Sequence, residues 1–333
     1  MTKHKNRSVQ ILSMGSYLPK KKVFADELDK KLGKKSGWVF DYSGVHTRYY
    51  VDDETAAQMG ATACKRALEN AERSIEDIEC IICASGSMQQ IIPCTASLIL
   101  EELKCNTNPA CFDINSTCLS FATGLDIAAS LLDNGRYSNC LLVSSEVASK
   151  NLNWDAPKGA ILFGDGAVCA LLNRASANEN SFVGTSLFHT YPEGAHFAEI
   201  KVGSNLPARE YCEDRKADFL FKMDGPAVYL GVLEHIHDFL KEFEQLAERS
   251  IKSYSAVIPH QGSGLGLQRM QKRLKISDQR FINIIHDYGN MIAASIPLAL
   301  HLMIESGRIQ RGDHVLLLGG GAGLGMGIVE LCY

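Results

Sequence analysis

The chain has 333 residues, 46% of them hydrophobic, and a formal net charge of −4. That length fills one large or two ordinary domains, the composition excludes a disordered or collagen-like polymer, and the charge argues against bulk nucleic-acid binding. No stretch reaches the roughly 18 consecutive apolar residues of a membrane span, and the basic start is followed by an apolar run of only Val9–Met14, without a cleavage-type segment. Eleven cysteines lie scattered, with a single CxxC pair at Cys80 and Cys83 and no second pair to complete a metal site, which fits a reducing compartment. The expectation is a soluble cytoplasmic protein. Lysines cluster at 20–22, 30–31 and 34–35, a solvated face or a meeting place for an acidic partner.

In chain order, Val9–Ser13 reads as a strand, Gly15–Pro19 as a turn and Ala25–Leu32 as a short helix leading to Trp38. Thr55–Ala71 has helical spacing, Ile78–Ser85 is an apolar run of strand length, and Cys94–Leu103 is another short helix. A strand at Ala110–Ile114 precedes a helix ending at Asn134-Gly135, then come strands at Cys140–Ser145 and Val168–Leu172. Strands and helices alternate, so the class is α/β.

Cys118 sits where the Ala110–Ile114 strand turns into an apolar helix. Unpaired backbone N–H groups and the positive end of the macrodipole favour a thiolate there, so the thiol pKa is expected to fall. The competing reading is an inert core cysteine.

The second half echoes the first. Ala71-Glu-Arg-Ser-Ile75 recurs as Ala247-Glu-Arg-Ser-Ile251, an offset of 176, and Asn134-Gly-Arg136 is matched by Ser306-Gly-Arg308, an offset of 172. Matches in order favour a duplicated α/β unit, with halves 1–175 and 176–333. Carrying the second offset to Cys118 pairs it with Asn290. His260 follows the strand Ala256–Pro259 at a C-terminal strand edge, where α/β sheets bind ligands.

A histidine near a thiol acts as base or steadies the thiolate, and an asparagine supplies a neutral donor at any working pH. The tail Gly319–Gly327 fits G-x-G-x-x-G in no register, so it is a packed turn or a loop presenting N–H groups to a thioester. His235 and His237 fall on opposite sides of one helix and read as surface residues. His286-Asp287 would serve a Cys–His–Asp hydrolase only against the geometry of adjacent residues.

With these residues in hand, the chain resembles the β-ketoacyl-acyl-carrier-protein synthase III branch of the thiolase superfamily over nearly its whole length. The resemblance rests on Gly15-Ser-Tyr-Leu-Pro19, Phe112–Cys118, Phe163-Gly-Asp-Gly-Ala167, Val257-Ile-Pro-His-Gln261, Gly289–Leu300 and Gly321-Ala-Gly323. It implies a thiolase-like five-layered αβαβα fold from two similar halves, a homodimer, and Cys118, His260 and Asn290 as catalytic residues. It also implies an oxyanion hole from the backbone N–H groups of Cys118 and Ala322, and no metal or cofactor. The implied reaction is decarboxylative condensation of an acyl-CoA with malonyl-acyl-carrier protein or malonyl-CoA through an acyl-cysteine. Trp38 stands where the family packs an aromatic residue on the CoA adenine, Lys158 where it has an arginine on the other side, and Ile92 where it often has a phenylalanine closing the partner's acyl tunnel.

The chain also departs from the family pattern. Tyr42 and His46 replace two arginines after Trp38, Gly262, Ser263 and Leu265 replace Ala-Asn and a carrier-docking arginine after Gln261, and Asn115-Ser-Thr117 replaces a small-residue run. Ser263 is taken as a substrate-binding candidate. These departures suit a specialised branch rather than standard fatty-acid initiation. The rival readings are an acyltransferase or head-to-head acyl-CoA condenser, and a non-catalytic partner subunit.

Overall fold

In the computed structural model, which describes residues 6–176, 179–202 and 213–333, strands and helices alternate as the periodicity predicts. The first part runs β1 (Val9–Tyr17), β2 (Lys21–Phe24), α1 (Ala25–Lys31), α2 (Trp38–Ser43), β3 (Thr47–Tyr50), α3 (Ala56–Asn70), β4 (Cys80–Ala84) and α4 (Thr95–Leu103). Then come β5 (Ala110–Ile114), α5 (Ser120–Asp133), β6 (Asn139–Glu146), α6 (Pro157–Ala160) and β7 (Gly166–Arg174). The remainder holds β8 (Phe182–Thr190), β9 (Ala198–Glu199), β10 (Lys222–Met223), α7 (Gly225–Ala247), β11 (Ala256–Pro259) and α8 (Gly264–Leu274). It closes with α9 (Ile285–Tyr288), α10 (Ser295–Glu305), β12 (His314–Gly321) and β13 (Gly325–Cys332). The turn expected from Gly15 starts later, because Gly15, Ser16 and Tyr17 keep pairing with Cys169, Val168 and Ala167 of β7.

Two sheets carry the fold. The first has the order β1-β7-β6-β4-β5 and the second β8-β13-β12-β11, with a bridge from Val257 to Phe281 on the outer side of β11 where the first sheet has β5. The central strands are buried on both faces, so they read as unbroken apolar runs. On β4, Cys80 and Ile82 face one core while Ile81 and Cys83 face another, and on β12 Leu317 and Leu316 divide in the same way.

The shared core holds Phe121 and Leu125 of α5 and Ile296 and Leu300 of α10 between the two sheets. Outside the first sheet, Met59 and Ala63 of α3 and Ile99 of α4 cover Ile81 and Val143. Outside the second, Phe239 and Phe243 of α7 and Leu267 of α8 cover Leu316 and Ile328. The layers therefore run helix, sheet, helix, sheet, helix.

The two inner helices start alike. Asn115 Oδ1 accepts the Thr117 N–H and Asn290 Oδ1 the Ile292 N–H, both at 2.9 Å. Ser120 Oγ accepts the Ser116 N–H and Ser295 Oγ the Met291 N–H, again both at 2.9 Å. Thr117 and Ile292 both take the left-handed conformation, with φ of 52° and 49°. The offset here is 175, from Asn115 to Asn290, not the 172 that the far helix ends suggest. The reason is length: α5 has 14 residues and α10 has 11, so the register slips by three between one end and the other. By position, Asn290 matches Asn115 and Cys118 matches Ala293, which corrects the pairing of Cys118 with Asn290.

Candidate active site

Cys118 lies in a single 3-10 turn, Thr117–Leu119, that precedes α5, so it stands one step outside the helix that the sequence assigns it to. The turn points the thiol into a cavity, where the residue is half-buried. The backbone N–H groups of Ala322 and of Cys118 itself both reach the sulfur and favour its anion. They are outweighed. Burial first, then the negative charge of Glu146, pushes the thiol up to about 12. The sequence reading expects a lowered pKa from the helix start, but desolvation of the charged form is the larger effect.

Ala322 is placed by the glycine-rich tail, which forms the tip of the β12–β13 hairpin, with Gly321 paired to Gly325. Thr117 Oγ1 donates to the Ala322 carbonyl at 3.4 Å and ties the hairpin tip to the nucleophile turn.

His260 follows the last residue of β11, and its N–H donates to the Leu318 carbonyl at 2.7 Å. The buried Gln261 side chain locks this strand end. It donates to the Pro259 and Ile282 carbonyls at 2.7 and 3.1 Å and accepts the Ile284 N–H at 2.9 Å. The imidazole is held neutral, with burial pushing it down to about 4, and its Nδ1 is buried without a hydrogen-bond partner. Burial thus favours a neutral thiol and a neutral imidazole over a thiolate–imidazolium pair.

Asn290 is buried beside them. With Oδ1 committed to Ile292, its Nδ2 is turned toward the Gly262 carbonyl, 3.4 Å away, and the cavity.

The cavity has a volume of about 1640 Å³ and is lined by Cys118, His260, Asn290 and Ala322 together, with Lys158 and Ser263 also on its wall. Ser263 caps α8 by accepting the Gly266 N–H at 3.1 Å, so it has a structural task as well. Two expected residues are elsewhere. Trp38 does not line the cavity. Its ring stacks on Tyr42, with centroids 5.7 Å apart, and Tyr42 is the residue that reaches the wall, with Lys158 Nζ 5.1 Å from its ring centroid. Ile92 is 81% exposed and lies off the wall, which its neighbour Ile91 lines instead.

Several residues on this cavity or behind it were not singled out from sequence. Arg269 and Arg273 line it one and two helical turns beyond Leu265, a spacing that α8 makes readable in hindsight, and the Arg269 guanidinium lies 4.9 Å from the Tyr229 ring centroid. Glu146 sits behind Cys118 and had no local signal. Seven of the eleven large apolar side chains that are exposed among the described residues line this cavity, Leu230 and Leu265 among them. His286 and Asp287 bond each other at 2.9 Å on the surface, away from the cavity, so the hydrolase geometry is absent. His235 bonds Glu193 at 2.9 Å and stacks on Tyr191. Among the described residues, no cluster of three or more His, Cys, Asp or Glu side chains is placed to hold a metal ion, and no helix is long and apolar enough to cross a membrane.

Paired sheets enclosing two buried helices, with a cysteine turn opening on a deep cavity, define a thiolase-like fold. Comparison with known proteins narrows this. The family described as 3-oxoacyl-[acyl-carrier-protein (ACP)] synthase III matches residues 112–192, and its C-terminal part matches residues 245–332. A β-ketoacyl-[acyl-carrier-protein] synthase III of Aquifex aeolicus is 31% identical over 324 residues, 97% of this chain and 99% of that protein. The crystal structure of 3-oxoacyl-[acyl-carrier-protein] synthase III from Aquifex aeolicus superposes with a TM-score of 0.86 at 28% identity, over 98% of this chain and 100% of that one. OleA of Xanthomonas campestris shares the fold, with a TM-score of 0.88 at 22% identity over 99% and 100% of the two chains. The chain belongs to the 3-oxoacyl-[acyl-carrier-protein] synthase III family.

Proposed function

We propose that this protein joins an acyl-CoA to a malonyl unit by decarboxylative Claisen condensation, through an acyl group carried on Cys118. The observation that carries the reading is the seat of the Cys118 sulfur, which faces two backbone N–H groups inside a cavity shared with His260 and Asn290.

In the first half-reaction the Cys118 sulfur attacks the thioester carbonyl, its proton passes to the departing CoA thiolate, and the N–H groups of Cys118 and Ala322 hold the oxyanion. In the second, the malonyl carboxylate leaves as carbon dioxide. The electron pair moves onto the thioester oxygen, where the neutral His260 and the Asn290 amide donate to it. The resulting enolate attacks the acyl carbon, a carbon–carbon bond forms, and the Cys118 thiolate leaves and recovers a proton. Carbon dioxide release drives the sequence, so no metal or redox cofactor is assigned.

The cavity exceeds the roughly 300–1,000 Å³ of ordinary small-molecule sites, which suits an acyl chain together with a pantetheine arm. Leu265, 52% exposed where the family has a docking arginine, favours a second reading in which the malonyl unit arrives on CoA. A partner acyl-carrier protein would then have only Arg269, Lys272 and Arg273 on α8 to meet its acidic surface.

The two parts 1–175 and 176–333 are proposed as copies of one unit, supported by the matching strand orders and helix starts. A homodimer is proposed because Ile91 and Ile92 stand exposed beside the cavity, Ile92 outside its own wall. Residence in the cytoplasm suits the ten free thiols among the described residues.

The test is intact mass after incubation with a panel of acyl-CoAs, followed by addition of labelled malonyl-CoA or malonyl-carrier protein. Acylation of Cys118, then carbon dioxide release with a β-ketoacyl product, is the expected result. Acylation without carbon dioxide release from either malonyl thioester would leave an acyltransferase or a head-to-head condenser. No acylation at all would leave a partner subunit.

A further inference from the structure

Glu146 ends β6 fully buried, yet its carboxylate is crowded with donors. It accepts the Gly86 N–H at 2.7 Å, the Ser87 N–H at 2.8 Å and the Ser87 hydroxyl at 2.5 Å. From the other half of the chain it accepts the Ala293 N–H at 3.3 Å. Three donors come from the loop after β4 and the fourth from the turn that carries Asn290. A buried carboxylate without a cation is costly, and it persists when hydrogen bonds replace its lost water. Burial pushes it up to about 7, against the pull of these four donors.

Gly86, held by this carboxylate, is the spacer between the two turns of the site. A Cβ on Gly86 would fall 2.5 Å from Ile292 Cγ2 and 3.1 Å from the Thr117 carbonyl carbon and oxygen. Its bare backbone therefore touches the residue before Cys118 and the residue two after Asn290 at once.

We infer that Glu146 is a positioning residue for the condensation: by gripping Gly86 and Ala293 together it fixes the distance between the Cys118 turn and the Asn290 turn across the cavity. Its charge gives this role a separate signature. The titratable groups that feel it are Cys83 of β4 and Cys118, while Gly86, Ser87 and Ala293 bring none. Removing the charge lets the Cys118 thiol ionise more easily, whereas a purely structural change has no reason to do so.

The inference rests on Cys118 being the nucleophile, and its test separates the two. Alkylation of Cys118 by iodoacetamide, followed by peptide mapping against pH, needs no substrate. Glu146→Gln should raise the rate at a fixed pH between 7 and 9 by about threefold or more, and should cut kcat for condensation at least tenfold while KM for the acyl donor changes less than threefold. Glu146→Asp, which keeps the charge, should return the alkylation profile to that of the wild type. A Gln variant with the wild-type profile, or one that condenses within twofold of wild type, overturns the role. Should that variant fail to fold, Ser87→Ala removes the hydroxyl donor to Glu146 together with the acceptor of the Val147 N–H, and is expected to lower condensation kcat three- to tenfold; an unchanged kcat overturns the role. Failure of the wild type to form an acyl-enzyme would instead overturn the assigned reaction.

Discussion

Asn115 and Asn290 build the same turn, each side-chain oxygen accepting the N–H two residues ahead at 2.9 Å, yet Asn115 faces solvent and Asn290 faces the cavity. The fold uses the asparagine in both places to start an inner helix. Only in the second place does the asparagine line the cavity, so the proposed chemical role falls to Asn290 and not to Asn115.

Asn290→Ala is expected to lower condensation and carbon dioxide release by about 10²–10³-fold, the loss that follows removal of one oxyanion donor. Acylation of Cys118 should change by no more than a few-fold, since that step uses the Cys118 and Ala322 N–H groups. Asn115→Ala is the control. It should lower stability by roughly 1 kcal/mol, as loss of a cap-like side chain does, and slow both half-reactions to the same small extent, because its oxygen holds the turn that carries Cys118. Intact mass measures the first step, labelled carbon dioxide the second, and equal loss in both steps for Asn290→Ala would assign it to thiol activation.

The strands were readable in the letters, because β4 and β12 are covered on both faces and need apolar residues at every position. His260 follows the end of such a strand, and the structure brings Cys118 and Asn290 to the same cavity from the turns before α5 and α10. What sequence reading missed depends on contacts between distant segments. Glu146 is bound by residues 86, 87 and 293, so nothing near position 146 announces it. The thiol's direction of shift turns on how completely the 3-10 turn is enclosed, which a helix-start pattern does not carry. The register error between the halves arose from three residues missing from α10, far from the turn being matched. Trp38 was placed on the substrate by analogy, whereas its own neighbour Tyr42 occupies its face.

The imidazole and the carboxylate impose opposite pH dependences on folding. His260 is lowered by burial to about 4, so between its ordinary 6.5 and 4 only the unfolded chain takes up that proton, and stability is lost as pH falls through this window. Glu146 is raised by burial from 4.5 to about 7, so its contribution is full below 4.5 and is lost as pH rises through 7. Urea midpoints from pH 4 to 8 should show His260→Gln flatter than wild type on the acid side and Glu146→Gln flatter on the neutral side. The same neutrality means that His260 contributes no limb to the kcat profile between pH 5 and 9. A limb near 6.5 that vanishes in His260→Gln would show the histidine titrating at its ordinary value.

Gly319 lies directly against the histidine. A Cβ there would fall 2.9 Å from Leu119 Cδ2 and 3.0 Å from His260 Cβ, so Gly319→Ala forces one of them to move. Such overpacking costs about 1–3 kcal/mol, read as a fall in Tm of several degrees. With His260 proposed to serve the second half-reaction, carbon dioxide release should drop tenfold or more while acylation of Cys118 stays within threefold. Equal slowing of both steps would mean that Leu119, next to the nucleophile, is the residue displaced.

Ile92 offers a test of both chain length and assembly. It stands 81% exposed and off the wall of its own cavity, so any influence on the acyl chain has to be exerted on a second subunit. An aliphatic side chain is shallower than the phenylalanine that the family often has at this place, which leaves a deeper tunnel floor and favours a medium-chain donor over acetyl. Each additional buried CH₂ is worth roughly 0.8 kcal/mol, about a fourfold gain in kcat/KM per CH₂ until the tunnel is full. Ile92→Phe is expected to erase that gain for the longest chains and move the preference toward acetyl-CoA in competition assays. Light scattering should at the same time report a dimer for wild type and variant alike. If wild type already prefers acetyl-CoA, or the substitution leaves the ratios unchanged in a protein that is dimeric, Ile92 does not close the tunnel and Met88 or Gln90, which line the cavity from the same loop, set its depth.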